Sequence, residues 1–177
     1  MIDRPAGSCV LHPMRAEHLD RICRIEQTSF SNPWPRGSFL DDLGSPQARC
    51  TVALLQGTVV GYTIGWFVLD ELHVLNLAVD PERRRRGIAK ELLRDLLAAA
   101  DRQGCRHAAL ELRSSNLDAR RLYQEYGFKP VAIRRDYYRC PTEDALVMLL
   151  DLGSGARFRL PGREVADGVV SKGSTRA

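Results

Sequence analysis

Between Val74 and Leu97 the chain reads VLNLAVDPERRRRGIAKELLRDLL, and its apolar positions change rhythm halfway. Residues 74–79 form a nearly unbroken apolar run of strand length, whereas Ile88, Leu92, Leu93, Leu96, Leu97 and Ala100 recur at helical spacing. Asp80-Pro81 turns the chain, and a basic loop ending in Gly87 joins the two runs. A strand, a short loop and a helix start outline an anion site. The first N–H groups of a helix lack partners within it, and the helix dipole adds partial positive charge there.

The same reading extends to both sides. Residues 10–12 are a short apolar start. A helix follows from about 16 to 29, with Leu19, Ile22, Cys23 and Ile25 on its inward face. Asn32-Pro33-Trp34-Pro35 is a stiff loop, because two prolines fix the backbone around one aromatic group; Trp34 either plugs the core or meets a substrate. A short helical stretch runs through Phe39 and Leu43. Residues 49–55 and 59–68 meet at Gln56-Gly57 as an antiparallel hairpin, and a fourth strand covers 72–79. The helix after Gly87 ends near Gln103-Gly104. In the fifth strand, 107–113, Ala108, Leu110 and Leu112 face one way and Ala109, Glu111 and Arg113 the other. Asn116 suits the N-cap of a helix over 117–126 that stops at Gly127, and strands over 128–138 and 145–152 complete the pattern. The order predicts one mixed α/β domain over residues 1–152, with antiparallel strands first, a βαβ crossover in the middle and a terminal hairpin. Residues 153–177 are rich in glycine and aperiodic, which predicts a flexible basic tail.

Composition narrows the function. A chain of 177 residues buries roughly two thirds of its unfolded surface, enough for its own core. No apolar run approaches the length of about 18 residues that spans a membrane, and the N-terminus lacks a signal-peptide core, so a cytoplasmic protein is expected. The net charge is +4, but the tail contributes +3 of it, with five basic residues against two acidic ones. The body is therefore near neutral, which argues against a nucleic-acid face except through the tail. Five scattered cysteines with no C-x-x-C pair fit buried thiols, and four histidines form no ligand cluster, so no metal site is expected.

Two motifs then make the reading specific. Arg84-x-x-Gly87-x-Ala89 resembles the coenzyme A pyrophosphate loop of the GNAT (Gcn5-related) N-acetyltransferases, written Q/R-x-x-G-x-G/A. It is not a Walker loop, because no Lys-Ser/Thr follows Gly87, nor a G-x-G-x-x-G fingerprint. Glu111-x-Arg113-x-x-Asn116, followed by Ala119, Leu122-Tyr123 and Gly127-Phe128, is similar to the second half of that family's acetyl-CoA site, at the usual distance from the first. With LNLAVDP before the loop and Arg134-Arg135-Asp136-Tyr137-Tyr138 near the end, the chain resembles the bacterial RimI branch of the family, which acetylates the N-terminal alanine of a small-subunit ribosomal protein. The resemblance covers about residues 10–152 and leaves the tail outside.

The resemblance implies a GNAT fold: a mostly antiparallel sheet of six to seven strands, a central splayed parallel pair and about four helices. It implies acetyl-CoA as cosubstrate, held by Arg84, Arg85, Arg86, Gly87, Ile88 and Ala89, with an oxyanion donor among the main-chain groups of Leu77, Ala78 and Val79. Asn116 either touches the pantetheine arm, as in the family, or only caps its helix. Tyr123 matches the family's proton donor to the coenzyme A sulfur. Glu111 lies near the carboxyl end of a strand beside the crossover, where open α/β sheets bind ligands, and its carboxylate can deprotonate an amine directly or through a water. The other reading of Glu111 is a surface carboxylate paired with Arg113 or Arg106. Substrate walls are expected from Asn32, Pro33 and Trp34 on one side and Tyr137 and Tyr138 on the other, though the two tyrosines equally suit a plug for the sheet end. Glu26, Asp41, Asp42, Asp70 and Glu71 are acidic groups that either attract a basic protein N-terminus or, as surface charges more commonly do, stay plainly solvated. Two other functions fit the motifs less well: acetylation of lysine or a small amine, and coenzyme A binding without catalysis.

Overall fold

The computed structural model describes residues 9–153. The flexible tail expected over residues 153–177 lies outside the described part except for Gly153, as do the first eight residues, and the described part holds eleven strands and α-helices. In chain order they are β1 (Val10–Pro13), α1 (Leu19–Ser29), α2 (Arg36–Gly44), β2 (Ala48–Leu55), β3 (Thr58–Val68), β4 (Glu71–Val79), α3 (Ile88–Arg102), β5 (His107–Arg113), α4 (Leu117–Glu125), β6 (Lys129–Arg139) and β7 (Thr142–Asp151). Short 3-10 turns at Ala16–His18 and Pro81–Arg83 precede α1 and the loop before α3. The seven strands form one sheet in the order β1-β2-β3-β4-β5-β7-β6, in which the β4–β5 pair alone is parallel. That parallel pair is what the β4-α3-β5 crossover requires.

The sheet separates two apolar clusters. On one face α3 and α4 bury Leu92, Leu93, Leu96 and Tyr123 against Leu72, Val74, Leu77, Leu110 and Leu112. Leu92, Leu93 and Leu96 are each 0% exposed, so truncating any of them to alanine costs about 2–5 kcal/mol. Gly65 of β3 lets α3 approach this closely, since a Cβ there would stand 2.8 Å from Leu96 Cδ1 and 2.9 Å from Leu72 Cδ1. On the other face α1 and α2 bury Leu19, Ile22, Ile25 and Phe39 against Val52, Tyr62, Ile64, Leu75 and Ala78.

Three details depart from the sequence pattern. Cys23 is half-exposed, and the fourth inward position of α1 belongs to Glu26, which is 0% exposed. Steps of three and four from Leu19 through Ile22 reach position 26, so helical geometry buries the charged residue and turns the thiol outward. The cysteines form no disulfide, and only Cys9 and Cys105 are buried. β7 starts three residues earlier than its apolar run, because Thr142, Glu143 and Asp144 pair across an irregular stretch of β6. There Arg134 faces Ala145 and Tyr138 faces Glu143, so Arg135, Asp136 and Tyr137 bulge opposite Asp144. Asp144 holds the bulge by accepting from Asp136 N (3.0 Å) and Arg135 Nη1 (2.8 Å).

Candidate active site

The site begins where two strands part. β4 and β5 pair only from Glu71↔His107 to Val74↔Leu110. At the next residue the β3–β4 register slips, leaving Leu75 as an extra residue in β4. Leu75 and Asn76 consequently point to the same face, towards α1, while Val74 and Leu77 point to the α3 face. A bulge bends the strand that carries it, and here it opens a gap between β4 and the last residues of β5. The ladder phase is fixed by Asp80 N donating to Val60 O at 2.9 Å. Antiparallel alternation then aims the main-chain groups of Leu77 and Val79 away from β3 and into the gap.

The loop after β4 is shaped for an anion. Asp80 caps the 3-10 turn by accepting from Glu82 N at 3.1 Å. Arg85 and Gly87 both take left-handed backbone, with φ of 60° and 81°, and α3 starts at Ile88 with its unpaired N–H groups facing the loop. A Cβ on Gly87 would meet nothing within 4 Å, so the left-handed φ, not crowding, calls for glycine there. The three loop arginines differ in what they do. Arg85 and Arg86 are exposed beside the helix start. Arg84 instead turns its guanidinium back, with Nε donating to Val79 O (3.2 Å) and Nη2 to Ser29 Oγ (3.1 Å). It ties the loop to the end of α1, where the sequence reading had it directed at a pyrophosphate.

Two buried groups border the gap. Tyr123 of α4 is 0% exposed, packs on Phe128 with ring centroids 5.5 Å apart, and has no hydrogen-bond partner for its hydroxyl among the described residues. Burial pushes its pKa up, so the phenol stays protonated and able to donate. Glu111 of β5 projects to the opposite face. Its Oε1 meets Arg134 Nη1 at 2.8 Å and the Tyr137 hydroxyl bonds the carboxyl, while the buried Oε2 has no partner among the described residues. Burial raises the Glu111 pKa above the ordinary carboxylate value, against the opposing pull of Tyr137 and Arg134. The expected pairing with Arg113 or Arg106 does not occur. Arg113 bonds Glu143 at 3.2 Å and lies over the Tyr138 ring at 4.2 Å, and Arg106 sits 4.0 Å from Asp70. Asn116 caps α4 through Ala119 N at 3.1 Å.

The expected substrate walls come together on the Glu111 face. Trp34 is half-buried against Phe39 at 5.7 Å, Asn32 and Pro33 are exposed, and Ser31 Oγ donates to Cys140 O at 2.9 Å, joining this loop to the β6–β7 turn. Tyr137 is half-buried beside Glu111, whereas Tyr138 is only 6% exposed and backs it edge-to-face at 5.3 Å. The bulge held by Asp144 is what brings Tyr137 to the carboxylate. The acidic set is mostly elsewhere: Asp70 and Glu71 lie at the far end of β4, Asp42 is buried with Trp66 Nε1 at 3.1 Å, and Glu26 is inside the core. Asp41 remains exposed. An open groove of about 470 Å³ between α1 and residues 33–36 excludes both Glu111 and Tyr123 and lies outside the gap. The residues the sequence reading missed are Tyr62 and Asn76, and it grouped Glu26 with surface acids although Glu26 joins them in the core. Asn76, a lone amide in the apolar run LNLAV, was the available signal.

These features match known proteins. Residues 19–128 match the Acetyltransferase (GNAT) family. The chain is 36% identical over 136 residues to a putative [ribosomal protein bS18]-alanine N-acetyltransferase of Bacillus subtilis, covering 76% of this chain and 90% of that one. It belongs to the GNAT acetyltransferase family. This acetyltransferase is also 40% identical over 139 residues to the N-alpha-acetyltransferase RimI of Mycobacterium tuberculosis, covering 75% of this chain and 86% of that one. The crystal structure of the ribosomal-protein-S18-alanine N-acetyltransferase from Escherichia coli superposes with a TM-score of 0.76 at 30% identity, over 85% of this chain and 99% of that one. As a GNAT enzyme it is an acyltransferase that draws on acetyl-CoA. The residues present fit that cosubstrate: a left-handed glycine before a helix start, and a buried, unpartnered phenol at the gap. When bound, acetyl-CoA supplies an activated thioester. Among the described residues no helix is long and apolar enough to cross a membrane.

Proposed function

We propose that this enzyme acetylates the α-amine at a protein N-terminus, the substrate being the alanine that begins a small-subunit ribosomal protein. The similarity to RimI and the bS18-alanine acetyltransferases supports that substrate. In this reading the α3 N-terminus with Arg85 and Arg86 holds the diphosphate, and the Leu77 and Val79 N–H groups receive the oxygen that gains negative charge. Glu111 takes a proton from the amine through Oε2, and Tyr123 donates one to the departing thiolate. Asn32, Pro33, Trp34 and Tyr137 border the incoming peptide, and the cytoplasm is where such a substrate is met.

The observation that carries the reading is the unpartnered Glu111 Oε2 on the face that also holds the Trp34 loop and Tyr137. A single carboxylate with a raised pKa suits an amine that is easily deprotonated. An α-amine titrates near 8 and a lysine near 10.4, so neutral pH asks about 3 kcal/mol more of a lysine. Peptides of the ribosomal N-terminal sequence, with free or formylated termini and internal lysines, test the proposal by mass spectrometry. Acetylation should appear only on the free terminus. Acetyl-lysine in the blocked peptides would overturn it.

A further inference from the structure

Of the buried ionisable groups outside the site, Glu26 is placed most suggestively. Its carboxylate is 0% exposed in the α1 cluster and accepts three hydrogen bonds: from Trp34 N at 2.8 Å, from the Tyr62 hydroxyl, and from Asn76 Nδ2 at 3.3 Å. Taking a carboxylate out of water is unfavourable, and the position adjoins Ile22 and Ile25 in the α1 cluster, where an aliphatic side chain is at home. The three donors are not arbitrary. Trp34 belongs to the substrate wall. Asn76 adjoins the extra residue at which β4 leaves β5. Tyr62 stands opposite Ala78, between the two residues whose N–H groups enter the gap.

We infer that Glu26 is a positioning residue for acetyl transfer: its carboxylate ties the Trp34 wall to the bulged edge of β4, and so sets where the amine stands relative to Glu111 and the gap. The other anchors of α1 are independent of it. Leu19, Ile22 and Ile25 are each at most 1% exposed, and Arg21 bonds both Asp80 and Val59 O (3.2 Å). The helix therefore keeps its seat when the carboxylate is changed. Asp42 makes a similar buried contact, accepting from Trp66 Nε1 at 3.1 Å. The inference rests on the gap beside Glu111 being the reaction site.

Glu26→Gln keeps the volume and removes the charge that three donors share. Trp34 N retains an acceptor, while Tyr62 and Asn76 must reorient. Steady-state kinetics on the N-terminal peptide should show kcat/KM lower by about thirtyfold or more, from a higher KM and a lower kcat together, because a small misplacement of reacting groups is costly. Calorimetry should find acetyl-CoA affinity within about twofold of the parent, since the diphosphate site is untouched. Tyr62→Phe, which removes one donor and leaves the carboxylate two, should show a smaller loss of the same kind, and stands in if Glu26→Gln does not fold. Unchanged kcat and KM in a folded variant would overturn the proposal. So would a loss confined to acetyl-CoA affinity. Glu111→Gln in the same assay separates the two ideas: full turnover there refutes the catalytic site itself, whatever Glu26 does.

Discussion

Tyr123 and Glu111 flank one gap from opposite faces of the sheet, and the two sides are built differently. The α3–α4 side is apolar, and in the proposed reading its polar groups are main-chain groups of one continuous stretch, Leu77 to Ala89, with the Arg85 and Arg86 side chains of that stretch and a single phenol. The α1–α2 side draws side chains from α1, the Trp34 loop, β3, β4, β5 and the β6 bulge, and joins them by hydrogen bonds and ion pairs. A backbone site tolerates side-chain change except where φ is unusual. A site assembled from scattered polar groups is sensitive to each of them.

The largest expected effect breaks the assembled side. Glu111→Gln should lower kcat by about 10²–10³-fold with acetyl-CoA affinity unchanged, measured by single-turnover kinetics and calorimetry. Tyr123→Phe tests the opposite face and should lower kcat by about 10–100-fold, again without loss of acetyl-CoA affinity; equal effects from both would mean the faces differ less than their construction suggests. Gly87→Ala attacks the backbone site. It should weaken acetyl-CoA binding by about fivefold and cost about 1 kcal/mol of stability in chemical denaturation, because alanine resists a φ of 81°, while the peptide KM stays put.

Subtler changes sharpen the contrast through pH. As a base Glu111 must be ionised, so kcat/KM should rise with pH through its raised pKa. Tyr137→Phe, and to a lesser degree Arg134→Met, removes a group that stabilises the charged form and should move that acidic limb to higher pH. The smallest effect concerns folding. A carboxyl whose folded pKa is raised contributes stability that is complete below the unfolded value, near 4.3, and is lost as pH climbs through the folded value. Glu111→Gln should accordingly gain stability over the parent at pH 8 and little or none at pH 4, as read from urea denaturation at both.

The same contrast explains what was legible in the sequence. The order of strands and helices, the Asn116 cap and the face of β5 that carries Glu111 follow from local periodicity and capping, which need no knowledge of distant residues, whereas the left-handed φ of Gly87 shows only in the folded loop. The Trp34–Glu26–Asn76 network and the Arg134–Glu111 pair join residues 8 to 50 positions apart, and no periodic rule couples them. Glu26 stands at an inward spacing from Leu19 and Ile22, but the sequence reading gave that place to Cys23 and grouped Glu26 with the solvated or substrate-attracting acids. The turned-back Arg84 was not legible at all, because a motif records which residue stands at a position and not where its side chain points.

A sheet whose middle seam closes for four pairs and then opens leaves its two wings, four strands and three, leaning on the helices that straddle them. Whatever slides into that seam takes over the rungs the ladder lacks. Under the function proposed above, the cosubstrate is as much a missing strand as a cargo, completing the sheet when it is loaded.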